Sequence, residues 1–179
     1  SEISPVFILY KYFRPMLALY VICQSFAYSQ ISLNEFMASN NTILCDDYDE
    51  FDDWVELGNS TLDTINLFGW YISDDQSDPF KHEILDSIYI LPDSVIIMWA
   101  DNDPEQGINH LSFKLSSQGE EIIISNPDQF QVDHIIFGEQ ISDISYGRSP
   151  DFFGEWGIMS VPTPGNLNSQ HDQTLQAEA

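Results

Sequence analysis

The sequence predicts an all-β sandwich, on three observations. From residue 31 onward no stretch keeps a helical period over three turns. Short runs rich in β-branched and aromatic residues recur instead, each bounded by turn-forming residues. Nine or ten such runs follow one another with no helical segment between them, which favours two packed sheets over a β–α–β fold.

In order, the runs are Ile31–Ala38, Trp54–Leu57, Ile65–Ile72, Lys81–Leu85, Val95–Ala100, Leu111–Leu115, Glu120–Ser125, Phe130–Phe137, Ile144–Tyr146 and Glu155–Met159. Gly58-Asn59-Ser60 is expected to turn the chain after the second run. Ser117-Gln118-Gly119 and Asn126-Pro127-Asp128 flank Glu120–Ser125 as hairpin loops. Pro162 and Pro164-Gly165 end the ordered pattern. In Trp54-Val55-Glu56-Leu57, alternation sends Val55 and Leu57 to one face and Trp54 and Glu56 to the other. Val95-Ile96-Ile97-Met98-Trp99 is apolar on both faces, as suits a central strand or an interface. Trp54, Trp70, Trp99 and Trp156 lie in or beside runs and are expected in the core.

The segment before these runs has a different character. Lys11 and Arg14 precede an apolar stretch, Met16–Cys23, of signal-peptide length and too short to span a bilayer. Ala27 and Ser29 supply small residues before a cleavage point at Gln30. The expected organisation is a signal-peptide region at 1–29, one domain at 30–168 and a polar tail or linker at 169–179. That arrangement implies a secreted or cell-surface protein, with no membrane insertion after signal cleavage.

Charge narrows the partners. The 179 residues hold 29 Asp and Glu against 5 Lys and Arg, a formal net charge of −24. Glu2, Lys11 and Arg14 are the charged residues of the first 30, so the remainder is more acidic still. Such a surface repels phosphate backbones, which argues against nucleic-acid binding, and favours cations or basic protein partners. Cys23 and Cys45 are too few for a disulfide scaffold or a zinc cluster, and Cys45 is expected as a half-buried small residue.

Several motifs, in order, carry a family resemblance. Ile31-Ser-Leu-Asn-Glu-Phe-Met-Ala-Ser-Asn, Asp53-Trp-Val-Glu-Leu and Ile65-Asn-Leu-Phe-Gly-Trp-Tyr-Ile-Ser-Asp-Asp resemble the first three strands of the bacterial lamin-tail domain. Phe113-Lys-Leu-Ser-Ser-Gln-Gly-Glu-Glu, Ser145-Tyr-Gly-Arg-Ser-Pro-Asp and Pro162-Thr-Pro-Gly-Asn-Leu-Asn are similar to its later signatures. The resemblance runs from about Ile31 to Asn168. It implies an immunoglobulin-like sandwich and an accessory module of an exported or cell-surface protein, or of a larger secreted hydrolase or nuclease. It carries over no catalytic residue. The sequence departs at Gly58, expected to touch only turn geometry, and in the very acidic segment 46–53.

Three acid clusters stand out: Asp46, Asp47, Asp49, Glu50, Asp52 and Asp53; then Asp74, Asp75 and Asp78; then Asp101, Asp103 and Glu105. If strands alternate in direction, all three fall in links at one end of the sandwich, joined there by Asp128 and Asp151. Asp63, Asp86, Asp93, Glu139 and Asp143 fall at the other end. Short carboxylates on loops suit a hard cation, so one reading is a calcium site with Asp47, Asp49, Asp52, Asp75, Asp101 and Asp103 as ligands, and the other is a solvated acidic face that keeps the protein soluble. An EF-hand is excluded, because Phe51 occupies its third ligand position.

Enzyme signatures are missing. His82, His110, His134 and His171 form no metal-binding His-x-Glu or His-Glu-x-x-His spacing, and no nucleophile elbow or phosphate loop occurs. His82 and His134 read as solvent-facing partners of acids, and His110 as a loop residue beside the third cluster. The chain therefore reads as a non-catalytic binding module. Its protein or cell-surface partner would be held by strand addition at an edge or by the acidic rim.

Overall fold

The computed structural model describes residues 30–168. The expected signal region and the tail lie outside the described residues, apart from Gln30. Among the described residues eleven strands occur and no helix: β1 (Ile31–Met37), β2 (Asp53–Asn59), β3 (Ile65–Asn66), β4 (Tyr71–Ser73), β5 (His82–Glu83), β6 (Tyr89–Ile90), β7 (Ser94–Ala100), β8 (Glu120–Ser125), β9 (Gln131–Phe137), β10 (Ser145–Ser149) and β11 (Glu155–Met159). A five-stranded antiparallel sheet in the order β11-β10-β1-β2-β7 faces a four-stranded one in the order β5-β4-β8-β9, and β3 pairs with β6. This is the all-β sandwich that the run pattern predicts.

The core is assembled from inward positions of both sheets. Ile31, Leu33, Phe36, Val55, Leu57 and Met98 meet Ile72, Ile122, Ile124 and Phe137, all at most 6 % exposed. Each fully buried aliphatic or aromatic side chain is worth about 1.5–3 kcal/mol relative to exposure. Phe36 joins the layers, its ring centroid 4.5 Å from that of Phe137 and 5.7 Å from that of Trp156. Val55 and Leu57 lie in this core, whereas Trp54 packs with Met37 and Trp99 in a second cluster, as the alternation requires.

Strict alternation fails in β1, and the failure matters. The register against β2 shifts between Leu33 and Glu35. Without that bulge Glu35 would follow Ile31 and Leu33 into the apolar core. With it, Phe36 and Ala38 point inward and the Glu35 carboxylate reaches Ser145 and Thr163.

Other expectations need correction. Ile65–Ile72 is two short strands, β3 and β4, because Gly69 takes a positive φ of 79° between them. Tyr89–Ile90 forms β6, which the run pattern passed over. Leu111–Leu115 is not a strand. It makes only an isolated bridge from Asp101 to Lys114, beside the neighbouring Trp99–His110 bridge, while Leu111 and Phe113 plug the core from a loop. The Val95–Trp99 run lies in β7 at a sheet edge rather than centrally. Its second apolar face is covered where Trp99 and Ile97 join Met37, Trp54 and Leu44. Gly58 and Asn59 belong to β2 rather than to a turn. A Cβ at Gly58 would lie 2.4 Å from the Phe152 ring, so this glycine makes room for packing. Cys45 is exposed rather than half-buried. His134 does pair with Glu121 (2.9 Å), but His82 faces Ser112, accepting its N–H at 3.1 Å.

Candidate functional site

Register fixes which links share an end. Met37 pairs with Trp54 and Asp53 with Ala100, so the β1–β2 and β7–β8 links leave the same end of the five-stranded sheet. Ser73 pairs with Ile123 and Glu120 with Phe137, and Phe137 lies on Phe36, so the β4–β5 link opens there too. The three acid clusters therefore gather at one end. Asp128 and Asp151 do not. With Leu111–Leu115 no longer a strand, the β8–β9 and β10–β11 links fall at the opposite end, and Glu139 and Asp143 move to the acidic end instead. Asp143 N donates to Ser39 O there at 2.9 Å.

Within this end, the β1–β2 and β7–β8 loops form one local structure. Asp46 builds the first. Its Oδ1 accepts from Tyr48 N (2.8 Å) and Glu50 N (2.9 Å), and Asp46 N donates to Glu50 O. Asp49 holds the tight curl with a positive φ of 64°. Asp101 builds the second in the same way, its Oδ1 accepting from Asp103 N at 2.9 Å. Both use the preference of aspartate for bonding an amide two residues on. Tyr48 then donates to Gln106 O (3.0 Å), and Gln106 Nε2 to Glu50 Oε2 (2.8 Å), locking loop to loop.

Beneath that lock, His110 Nδ1 contacts Asp101 Oδ2, both residues being buried. The imidazole stacks on Trp99 with centroids 6.4 Å apart, and Tyr48 meets it edge-on at 6.2 Å. One ligating atom each of Asp46, Asp101 and His110 lie within 4.8 Å of one another, and so do those of Asp46, Glu50 and Asp52. Burial, then the charge of Asp101, raises the Asp52 carboxyl above its ordinary range.

Of the six expected ligands, Asp52 and Asp101 enter these groups. Asp47, Asp49 and Asp103 are exposed on the same loops and enter neither. Asp75 lies apart from both groups in the β4–β5 link of the four-stranded sheet, its Oδ1 accepting from Ser77 Oγ (2.7 Å) and Ser77 N (2.8 Å), which lowers its pKa. Sequence reasoning missed Asp46, Glu50 and His110. The signal was there, since His110 follows Asp101 by nine residues in a loop with a glycine, but it needed the loop to fold back along β7. That happens through Trp99 N donating to Asn109 O and Leu111 N to Trp99 O, both at 2.7 Å.

A second acid group lies on the outer face of the five-stranded sheet. Glu35 on β1 and Glu56 on β2 are both fully buried. Glu35 accepts from Ser145 Oγ, Thr163 N (3.0 Å) and Thr163 Oγ1 (2.7 Å). Glu56 accepts from Asn34 Nδ2 (2.9 Å) and Gly165 N (2.8 Å). Asn168 closes the arrangement, donating to Asn34 O and Arg148 O. Burial, only partly offset by these bonds, pushes Glu56 up to about 8 and raises Glu35 as well.

Away from both, a groove of about 320 Å³ opens between edge strand β9 and strands β10 and β11, with Ile135, Ile136, Ile141, Ile144 and Ile158 among its lining. Ile136 and Ile141 are 73 % and 60 % exposed. Among the described residues no helix is long and apolar enough to cross a membrane.

A family model described as Lamin Tail Domain matches residues 24–139. No match to the chain is found among curated proteins. The family match stops short of β10 and β11, yet β10 pairs with β1 and extends the same sheet. With its immunoglobulin-like sandwich of antiparallel sheets and a match over more than half its length, the chain belongs to the lamin tail domain family.

Proposed function

We propose that this domain is a non-catalytic accessory module of an exported or cell-surface protein, which holds an extended segment of a protein partner along β9. The observation that carries this reading is the apolar groove beside the β9 edge, where Ile136 and Ile141 stand exposed. An edge strand offers backbone N–H and C=O groups to an added strand, and the groove offers pockets for alternate side chains. The charge of −24 favours a basic segment. Export agrees with the signal-like segment at 1–29, and calcium would steady the exposed rim through the all-oxygen group Asp46, Glu50 and Asp52.

The test is binding of synthetic extended peptides that alternate Lys with Val or Ile, read by fluorescence anisotropy at two salt concentrations. Groove docking predicts at least a tenfold loss in Ile136→Asp and Ile141→Asp, and binding that weakens with salt but persists at the higher concentration. Binding that survives both substitutions and collapses with salt would place the partner on the acidic rim instead.

A further inference from the structure

The Asp46–Asp101 and Glu35–Glu56 groups differ in one respect that bears on ligands. In the Asp46 loop, Oδ1 is taken up by two amides, but Oδ2 is buried and has no hydrogen-bond donor. Asp46 is 8 %, Asp101 5 % and His110 4 % exposed. Gln106 Oε1, on the adjoining loop, is a second buried acceptor with no donor. Asp101 is paired with His110, and none of the ion pairs among the described residues reaches Asp46. Burying two carboxylates with an orphaned oxygen is costly unless a cation answers them.

We propose that Asp46, Asp101 and His110 form a buried site for a divalent transition-metal ion of the zinc class. The donor set is two carboxylate oxygens and one imidazole nitrogen, within 4.8 Å of one another. An imidazole is a poor ligand for calcium and a good one for zinc, manganese or cobalt. Orientation is already provided. The amides of Tyr48, Glu50 and Asp103 fix one oxygen of each aspartate; the second oxygen of Asp46 is bare, and that of Asp101 meets His110 Nδ1, a contact whose proton the ion would displace. Trp99 and Tyr48 hold the imidazole plane. The ion would pin the β1–β2 loop to the β7–β8 loop, two segments more than fifty residues apart. This inference stands apart from the β9 groove, and the calcium expected at the exposed rim would compete with it for Asp46.

The experiment uses the full chain, stripped with a chelator and dialysed into chelator-free buffer. Thermal melting is followed with added zinc, manganese, calcium or magnesium. Zinc at about 100 times its Kd is expected to raise Tm by about 5–10 °C, with calcium and magnesium giving far less. Asp46→Asn and His110→Gln should each lose most of the zinc shift. Cobalt(II) should give visible d–d bands in the wild type that vanish in His110→Gln, a readout independent of stability. No shift with zinc or manganese, a response to calcium alone, or an equal zinc shift in the wild type and both variants would each overturn the assignment.

Discussion

Two buried acid groups sit on the same five-stranded sheet system and solve the same electrostatic problem differently. Around Glu35 and Glu56, the chain supplies its own donors: Ser145, Thr163, Asn34 and the Gly165 amide fill the carboxylate oxygens. Around Asp46 and Asp101, backbone amides fill one oxygen of each, and the other oxygen of Asp46 is left bare. A satisfied group closes the structure, here by fastening the 163–168 segment across β1 and β2. An unsatisfied one has capacity for a ligand. The contrast separates a structural acid pair from a candidate binding centre without appeal to the number of carboxylates, which is two in each.

The largest expected effect comes from opening the closed group. Glu35→Ala strands the Thr163 amide and the Ser145 and Thr163 hydroxyls, and should cost about 3–5 kcal/mol in urea unfolding. A loss under about 1 kcal/mol would show that the fastening segment contributes little.

Next is pH. Glu56 titrates near 8 in the folded protein against an ordinary 4.5, and Asp53, lifted by burial to about 6, acts in the same direction. A raised folded-state value means the native protein holds the proton more tightly. That stabilisation is complete below the ordinary value and is lost as pH climbs through the folded one. Tm should therefore fall between about pH 5 and 8, and Glu56→Gln should flatten the slope; an unchanged slope would mean that Glu56 is not the group responsible.

How much of this was legible beforehand depends on the range of the interactions involved. The runs that became β1, β2, β7, β8, β9 and β11 follow from side-chain periodicity, which is local. Leu111–Leu115 misled because its apolar residues plug the core from a loop, and periodicity cannot distinguish a plug from a strand. That one error moved Asp128 and Asp151 to the wrong end. The gathering of three acid clusters survived, since all precede it. His110 and Asp46 escaped notice because their partnership is set by the β7–β8 loop folding back on Trp99. Glu35 was hidden by the bulge, a backbone event with no residue signature in Leu33-Asn34-Glu35.

A smaller effect sharpens the comparison by its sign. In chelator-treated protein, Asp46→Asn removes an uncompensated buried charge while leaving Oδ1 to its amides. It should raise stability by about 1 kcal/mol, opposite to Glu35→Ala. A loss of stability would show that the bare oxygen is answered by a donor within the chain. Smallest of all is salt. Raising ionic strength from low to physiological should lift Tm by a degree or two by screening the exposed carboxylates, and Glu35 and Glu56 should not share in it. A larger rise, or a fall, would assign the repulsion elsewhere.

With a cation proposed at Asp46, Asp101 and His110, one buried acid group is complete within the chain and the other is completed by the ion. Anomalous scattering at the zinc absorption edge, from crystals of the full chain grown with zinc, tests it most directly. The prediction is a peak among Asp46, Asp101 and His110 and none between Glu35 and Glu56. A peak at the second pair, or none at the first, would contradict it.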